Sequence, residues 1–515
     1  MKILPTLFVV TLLLLTGCGE AKPGAGERRP AELVGGAGAD VSPSGAFHAR
    51  LGVYPLNVNV AETLTRLTAD YRVEPLLATR WEYQGDNTWR FFLRRGVFFH
   101  DGQPLDARAV EASITQAVQG GFGYGTLDEK SVKIVGDHTV DITTTRPNLR
   151  LPEQLVHPNN SIFAPQTTPG VRPVGTGPFR WVEYLPNQRI VVERNDAYWG
   201  EKARMPRITF RFFPDATTRV FALLAGEVDL VMDLPREQVP SFTARPELTV
   251  ARARVGQMLN LLPNAHGQGQ YDLLTDPALR RAISFSIDRG RLVNQVWNGE
   301  GKAVQNMTVP AILDPFAAQV HGFPYDPLRA ERLLDSAGWH PGPNGVRQNG
   351  GRLLRLVMLA SPSLESGIAE FVQAQLRRVG VEVQWVRLPD AGSYAARLGA
   401  GEFDLDLATP NQNDGNPLFL PALIFHSQSD NPFARWHYVG EQFDRLVEAG
   451  MRAPDPTEAR RLAAEAIKLA VDDETIVISL AGRFRLYALK KRVDGFVPHP
   501  SQTNKSWTRV HFRSK

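Results

Sequence analysis

The sequence predicts an α/β fold, because helix signals alternate with short apolar runs of strand type along most of the chain. An early example is a helix that Asp215 should cap and Gly226 should end, followed directly by the strand-like run 228–232. With about 500 residues after the first eighteen, the chain is long enough for two or three hydrophobic cores.

Asp-Pro pairs mark further helix starts, because aspartate is a favoured N-cap residue and proline suits the first helical turn. Such pairs stand at Asp276-Pro277, Asp326-Pro327 and Asp455-Pro456. Gly380 should end another helix, and the alternating run 381–385 after it predicts a strand. A further strand is expected at 476–478, directly after the last long helix.

The first eighteen residues have the layout of an export signal. Lys2 precedes an apolar run from Ile3 to Leu15, which is shorter than a membrane-spanning helix needs. The run ends in Leu15-Thr16-Gly17-Cys18, which resembles the bacterial lipobox. The resemblance implies that residues 1–17 are a lipoprotein signal peptide and that Cys18 is lipidated. The alternative is a cysteine that happens to lie near an ordinary cleavage site.

Residues 18–40 predict a flexible tether between the lipid and the folded body. They are rich in Gly, Ala and Pro and have no apolar periodicity, so they cannot bury enough surface to offset the entropy lost on ordering. No later segment has the roughly 18 consecutive apolar residues of a spanning helix. We therefore expect a protein held on the extracytoplasmic side of a membrane that it does not cross.

Composition and motifs exclude several classes of function. Cys18 is the only cysteine, so the folded part has neither a disulfide nor a thiolate metal site. The 58 basic and 54 acidic residues leave a net charge of +4 without a long basic run, which argues against nucleic acid as a partner. The chain lacks the serine-hydrolase elbow, the zinc-protease helix and the phosphate loop, so we expect no enzyme and no cofactor.

Two local patterns could suggest chemistry, and each has a structural interpretation. Asp404 and Asp406 could be a carboxylate pair for glycoside cleavage. The strict alternation of 403–407 predicts instead a half-exposed strand with its aspartates outward or at its end. Gly175-Thr176-Gly177 lacks the lysine of a phosphate loop, so we expect it to be structural.

The strongest resemblance to a known family begins in residues 75–114, which read PLLATRWEYQGDNTWRFFLRRGVFFHDGQPLDARAVEASI. This stretch is similar to the signature of family 5 extracellular solute-binding proteins, the dipeptide, oligopeptide and nickel-chelate receptors of ABC importers. Matching blocks follow in the family's order at 174–179, 193–200, 208–215, 224–229 and 280–289. Within the first block, Asp106 should cap a helix, and His100 and Asp101 should shape a turn rather than bind a metal.

The resemblance implies a two-lobe α/β fold of the periplasmic-binding-protein type, type II, from the large cluster with an extra subdomain in lobe one. Its boundaries would be 41–258 plus 482–515 for lobe one, about 70–190 for the extra subdomain and 259–481 for lobe two. The chain would cross between the lobes at 258–260 and 479–481. The ligand would occupy the interlobe cleft, and a hinge motion would close the cleft around it.

The resemblance leaves the ligand open between peptides and metal chelates. Peptide-binding members hold the terminal amine with an acid, and the matching position here is Asn413, with Asp414 one residue later. Nickel-chelate receptors hold carboxylates with arginines, and the matching stretch 157–165 contains none. The amide-rich run 411–416 therefore predicts a polar solute, uncharged or zwitterionic, that many hydrogen bonds orient. The expected contacts are Asn411, Asn413, Asp414 and Asn416, and the alternative is a surface loop outside the cleft.

Four other residues are candidate ligand contacts. Tyr54 follows a predicted strand at 47–53. His426 could contact a metal chelate, although a lone histidine is more often structural. Arg435 beside Trp436 could clamp a carboxylate against an aromatic wall, or could simply lie on the surface. No resident metal is expected.

Together these features predict the substrate-binding lipoprotein of an ABC importer. It would be a monomer that captures a small polar solute, peptide-like or metal-chelate, and delivers it to the permease subunits. The alternative is a receptor fold used for ligand sensing or chaperone-like work outside the membrane.

Overall fold

Two large β-sheets, one in each of two lobes, organise the chain. The computed structural model describes residues 31–38, 57–120, 126–165, 173–253, 255–362, 364–410, 412, 414–429, 431, 433–501 and 506–513. The predicted signal peptide and Cys18 lie outside the described residues.

The sheet of lobe one has seven strands. In spatial order they are Leu248–Arg252, Leu486–Lys490, Leu230–Met232, Glu32–Ala37, Arg207–Phe212, Arg189–Arg194 and Phe179–Leu185. Helices Ala216–Ala225 and Val239–Thr243 pack beside its strands. The main core of the lobe includes the fully buried Leu33, Phe179 and Ile208.

The central strand Glu32–Ala37 corrects the tether prediction for this part of 18–40. It runs parallel to both of its neighbours, and Leu33 is completely buried. Its glycines suit this position, because a Cβ on Gly35 or Gly36 would come within 3.3 Å of a side chain on the adjacent strand. Residues 18–30 and 39–40 of the predicted tether are outside the described residues.

The extra subdomain consists of a four-stranded antiparallel sheet and helices that cover it. The strands, in spatial order, are Ala78–Gly85, Thr88–Leu93, Thr139–Thr143 and Val132–Gly136, and the helices are Ala107–Gln119 and Leu151–Gln154. A two-stranded sheet of Thr65–Leu67 and Val73–Pro75 adjoins them. Because Phe179–Leu185 already belongs to the sheet of lobe one, the subdomain ends before residue 179 rather than near 190.

Lobe two contains a six-stranded sheet and most of the helices. Its strands, in spatial order, are Gly301–Ala303, Ile478–Arg483, Gln257–Pro263, Leu405–Ala408, Arg355–Ala360 and Glu382–Val386. Its helices are Pro277–Ser286, Arg289–Val296, Pro310–Leu313, Pro327–Ser336, Ser366–Arg378, Ala391–Ala400, Phe419–Phe425, Glu441–Arg452 and Pro456–Lys468. Among all the described helices, none is long and apolar enough to span a membrane.

The predicted helix caps are confirmed. The carboxylate of each capping aspartate accepts a backbone N–H two or three residues later, at Asp106, Asp215, Asp276, Asp326 and Asp455. Gly226 ends its helix in the left-handed conformation, with φ of 87°. The last predicted strand is shifted, because pairing in the sheet begins at Ile478 rather than at residue 476.

Two short segments carry the chain between the lobes, one that includes residues 255–256 and one at 484–485. The predicted crossings at 258–260 and 479–481 instead lie inside strands of lobe two, where Gln257 pairs with Arg483. Lobe two therefore begins at about Gln257 and ends at about Arg483, two residues outside each predicted boundary. Both crossing segments reach the cleft between the lobes.

The Gly175-Thr176-Gly177 segment is structural, as predicted. The Nε2 atom of His100 lies 2.9 Å from the carbonyl oxygen of Gly177, and Asp101 accepts the N–H of Gln103 within its turn. Thr176 donates to the buried carboxylate of Glu62 at 2.8 Å. These contacts join the extra subdomain to lobe one.

Replacing Gly175 with alanine should lower the free energy of unfolding by about 1–3 kcal/mol. The reason is steric, because a Cβ at Gly175 would lie 2.1 Å from the carbonyl oxygen of Val60. The measurement is urea unfolding followed by tryptophan fluorescence. The control is Gly136→Ala, where a Cβ would meet no described atom within 4 Å. Equal unfolding curves for the two variants would contradict the packing argument.

Candidate functional site

A cavity of about 820 Å³ lies between the two lobes. This volume is in the range of pockets that hold small molecules. Lobe one contributes residues 216, 219 and 233–237 to its lining, and the crossing segments contribute 256 and 484–485. The side chains from lobe two include Leu262, Tyr394, Asp406, Phe433 and His437. Since both lobes form its walls, a change in the angle between the lobes would open or close the cavity.

Four arginines line the cavity, two from lobe one, one from a crossing segment and one from the end of the lobe-two strand Ile478–Arg483. They are Arg219, Arg236, Arg483 and Arg485. Arg485 donates to Asp233 at 3.0 Å, and Arg219 donates to the carbonyl oxygen of Phe213 at 2.7 Å. The buried Arg236 donates to Glu365 at 2.8 Å. Burial, followed by repulsion from Arg483, lowers the pKa of Arg236 to about 10, so the group stays charged at neutral pH.

The wall formed by lobe two carries a carboxyl group that has no cationic partner among the described residues. Asp406 is buried in the strand Leu405–Ala408, where Leu262 and Leu359 are its neighbours on the two adjacent strands. The hydroxyl of Tyr394 donates to its Oδ1 atom at 2.6 Å. Burial raises the pKa of Asp406 to about 7, although the bond from Tyr394 acts in the opposite direction.

His437 lines the same cavity in its neutral form. Its Nδ1 atom lies 3.1 Å from the carbonyl oxygen of Pro263, and burial lowers the pKa of His437 to about 4. Because a carbonyl can only accept, Nδ1 carries the proton and Nε2 is a hydrogen-bond acceptor. Pro263 is the residue next to Leu262, so His437 and Asp406 both lie beside the strand Gln257–Pro263.

Three of the predicted contacts, Tyr54, Asn411 and Asn413, are outside the described residues. Of the five described ones, none lines the cavity. The residues just before the amide-rich run, Ala408 to Pro410, do line it. The sequence therefore indicated the correct end of the strand, but the side chains selected from it lie a few positions further along the chain than those that line the cavity.

Asp414 and Asn416 hold their own loop in place. The Oδ1 atom of Asp414 accepts from the amide of Gln412 at 2.7 Å and from the backbone N–H of Asn416 at 3.2 Å. Asn416 in turn accepts from the backbone N–H of Leu418. All three polar side chains are buried, so the alternative is wrong in placing them at the surface, but they do lie outside the cavity, as that alternative states. Burial raises the pKa of Asp414 well above its usual value.

His426, Arg435 and Trp436 also have structural surroundings. The Nδ1 atom of His426 accepts from the backbone N–H of Gln428, and its Nε2 atom lies 3.7 Å from a carboxylate oxygen of Asp444. Arg435 is exposed, stacks 4.4 Å above the ring of Trp436 and donates to the carbonyl oxygen of Gly399. The predicted stacking of arginine on tryptophan therefore exists, but outside the cavity.

Sequence reasoning missed Asp406 because the alternating run predicted outward-facing aspartates. The outward orientation is wrong, since both Asp404 and Asp406 are buried, whereas the expected position at the strand end holds for Asp404, which directly precedes Leu405–Ala408. Asp404 accepts the backbone N–H of Val357 at 2.7 Å, whereas Asp406 faces the cavity. A signal was present in the sequence, because an aspartate between two leucines in a central strand needs a specific partner.

The described residues contain no group of three or more His, Cys, Asp or Glu side chains arranged to hold a metal ion. The cavity thus offers hydrogen-bonding and charged groups to a solute, while its apolar surfaces come from residues such as Phe433 and Leu262.

Two α/β lobes, two crossing segments and a mixed-charge cavity between them define a solute-binding receptor of the periplasmic type. Residues 72–432 match the profile of bacterial extracellular solute-binding proteins, family 5 Middle, and the chain belongs to this family. It is a solute-binding receptor of the extracytoplasmic space and not an enzyme.

Relatives bind different cargoes. The chain is 29% identical to the nickel-binding periplasmic protein of Escherichia coli (strain K12) over 367 residues, covering 67% of this chain and 69% of that one. It is 26% identical to the probable D,D-dipeptide-binding periplasmic protein DdpA of the same organism, covering 83% of each. The crystal structure of NikA from Brucella suis in complex with Fe(III)-EDTA superposes with a TM-score of 0.81 at 24% identity, covering 94% of this chain and 100% of that one.

Proposed function

We propose that this protein is the lipid-anchored receptor of an ABC importer. It captures a small polar solute, peptide-like or metal-chelate, in the interlobe cavity and delivers it to the permease as a monomer. The observation that carries the proposal is the cavity itself, because residues of both lobes line it. A solute that contacts both walls favours the closed form, and the permease can then distinguish loaded from empty receptor.

The side chains of the cavity support a charged, polar cargo rather than an apolar one. Four arginines and four carboxyl groups line it, the latter being Asp233, Glu237, Glu365 and Asp406. Burying an ion without a countercharge costs roughly several kcal/mol. A cargo whose charges complement those of the cavity is therefore favoured over an uncharged one. The relatives named for nickel and for D,D-dipeptides are consistent with that class of cargo.

Native mass spectrometry of protein purified without denaturation tests this function. We expect a fraction of molecules to carry an additional small mass, which tandem fragmentation identifies as a peptide or as a chelate with the isotope pattern of its metal. Isothermal titration with the identified solute should then give one site per chain. Protein that carries no added mass and binds nothing from a cell extract would overturn the proposal.

Replacing Cys18 with serine should move the protein from the membrane fraction to the soluble fraction of the producing bacterium. An acyl chain contributes about 0.8 kcal/mol of membrane affinity for each buried methylene, and the serine variant cannot be lipidated through sulfur. Fractionation and immunoblotting make the measurement. The matched control is Thr11→Ser, which leaves the Leu-Thr-Gly-Cys motif intact. Membrane association of both variants would show that Cys18 is not the anchor.

A further inference from the structure

The extra subdomain contacts lobe two through an interface that is separate from the cavity. The backbone N–H of Leu149 donates to the carbonyl oxygen of Met451 at 2.7 Å. The guanidinium of Arg150 donates to the carbonyl oxygen of Ala453 at 3.1 Å. None of these four residues lines the cavity. The two lobes are therefore held together at a place where the solute does not bind.

Arg150 caps the end of a helix that belongs to the other lobe. Met451 and Ala453 lie at the C-terminal end of Glu441–Arg452, where carbonyl groups lack partners within the helix and the helix dipole is negative. Arg150 is buried, and inside its own subdomain it also donates to Glu153 at 3.1 Å. Separation of the subdomain from lobe two would leave both the cation and the helix end without these partners, so the contact depends on how the lobes are placed.

A small apolar cluster extends the same interface. Its members on the side of the subdomain are Leu67, Tyr71 and Val156, and its members from lobe two are Val309 and Ile312. All five are buried. Opening of the lobes would expose this apolar surface to water, which is unfavourable.

The loop around Gly415 of lobe two packs against the subdomain side of this cluster. A Cβ on Gly415 would lie 3.1 Å from the side chain of Val73 and 3.2 Å from that of Leu67. This packing explains why Asp414 and Asn416 are buried although they lie outside the cavity.

The extra subdomain is fixed more firmly to lobe one than to lobe two. The buried carboxylate of Glu62 accepts from Thr176 at 2.8 Å and from Tyr198 at 2.7 Å. Trp199 donates to the same carboxylate at 3.1 Å. Because separating a buried carboxylate from all of its donors is costly, the subdomain should move with lobe one. Its contacts with lobe two are then the ones that break when the cavity opens.

We propose that Arg150 is a positioning residue for closure of the receptor. By capping the helix Glu441–Arg452, it holds the extra subdomain against lobe two and stabilises the arrangement in which both lobes form the cavity. The inference goes beyond the proposed function, because it assigns a role in closure to a residue outside the cavity and holds for any cargo.

Hydrogen exchange at the amide of Leu149 tests this role, because that amide bonds across the interface to Met451. Exchange should become about tenfold faster in Arg150→Met, since a hydrogen bond from a charged group contributes a factor of about this size. The amide of Leu93, which bonds to His138 within the subdomain, is the internal reference and should keep its rate. Mass spectrometry with residue-level fragmentation of the purified full chain makes the measurement.

Arg90→Met is the matched control for the arginine. Arg90 also belongs to the subdomain, but its guanidinium donates to Asp141 on the adjacent strand at 2.7 and 2.8 Å. Its replacement should leave exchange at Leu149 unchanged, because these bonds do not cross to lobe two.

Gly415→Val tests the same interface from lobe two, where a substitution does not alter the sequence of the subdomain. The added side chain should push Val73 and Leu67 away and accelerate exchange at Leu149 but not at Leu93. Gly136→Val is its control, since a Cβ there would meet no described atom within 4 Å. Unchanged exchange at Leu149 in either Arg150→Met or Gly415→Val would overturn the proposal. Equal acceleration at Leu149 and Leu93 in both variants would also overturn it, because it would indicate unfolding of the subdomain rather than opening of the lobes.

Discussion

Replacing Arg289 with methionine is expected to lower the free energy of unfolding of lobe two by about 3 kcal/mol or more, because several buried carbonyl groups lose their hydrogen-bond donor at once. Arg289 is buried, and its guanidinium donates to the carbonyl oxygens of Ser284, Ile287 and Ser479 at 2.7 to 3.2 Å. Burial lowers the pKa of Arg289 to about 10, so it remains a cation at neutral pH. Methionine fills similar volume but donates no hydrogen bond.

The position of these carbonyls explains why the effect is large. The helix Pro277–Ser286 ends at Ile287 without a glycine cap, so the carbonyls of its last turn lack partners from the helix itself. Arg289 supplies partners for this turn and simultaneously reaches Ser479 on a central strand of the sheet. A single side chain therefore fixes the helix end against the sheet of lobe two.

Urea unfolding followed by fluorescence of the nine tryptophans measures the change. Arg291→Met is the matched control, since Arg291 lies on the same helix but is exposed, and among the described residues its side chain bonds only to Gln295. It should change stability by no more than about 0.5 kcal/mol. If both substitutions had equal effects, the capping role of Arg289 would be wrong.

The features that sequence predicts correctly here are local. A capping aspartate such as Asp276 or Asp326 acts on an N–H group two or three residues away, so a short window contains the whole interaction. The strand Glu32–Ala37 is different, because its glycine-rich sequence becomes a strand only between partners about 170 residues or more further along the chain. No window around residue 35 contains that information.

The candidate site follows the same rule. The family blocks located the two lobes, and the cavity lies between them, at the end of the strand before the amide-rich run. Whether an individual side chain faces the cavity depends on which strands flank it. Asp406 is a cavity residue because its strand lies between two others, on which Leu262 and Leu359 are its neighbours. The hydroxyl of Tyr394 donates a hydrogen bond to its carboxylate.

An ionic contact between the lobes should contribute directly to ligand affinity. Glu365 precedes the helix Ser366–Arg378 of lobe two, and its Oε1 atom accepts from Arg236 of lobe one at 2.8 Å and from Arg483 at 3.1 Å. Arg252 and Glu300 form a second, bidentate contact between the lobes at 2.6 and 2.8 Å. When the cleft opens, water can replace the Glu365 contact, so this ion pair stabilises mainly the closed form.

The Glu365→Gln variant should therefore bind its solute about tenfold more weakly, because closure leaves Arg236 buried beside an uncharged amide. The effect is limited to this size because Glu365 is 42% exposed and partly screened by solvent. Titration calorimetry with the co-purified solute measures affinity, and small-angle scattering should detect a larger radius of gyration for the variant at subsaturating solute.

Glu370→Gln is the matched control for this change. Glu370 lies on the same helix and also pairs with an arginine, Arg387, but within lobe two and on its surface. Its replacement should leave both affinity and radius of gyration unchanged, since surface ion pairs contribute about 0–1 kcal/mol and this one does not depend on closure. Raising the salt concentration should weaken binding in the parent more than in Glu365→Gln, because only the parent has the Glu365 pair in addition to the Arg252–Glu300 pair that both proteins keep. Identical salt dependence in the two proteins would show that Glu365 does not act through closure.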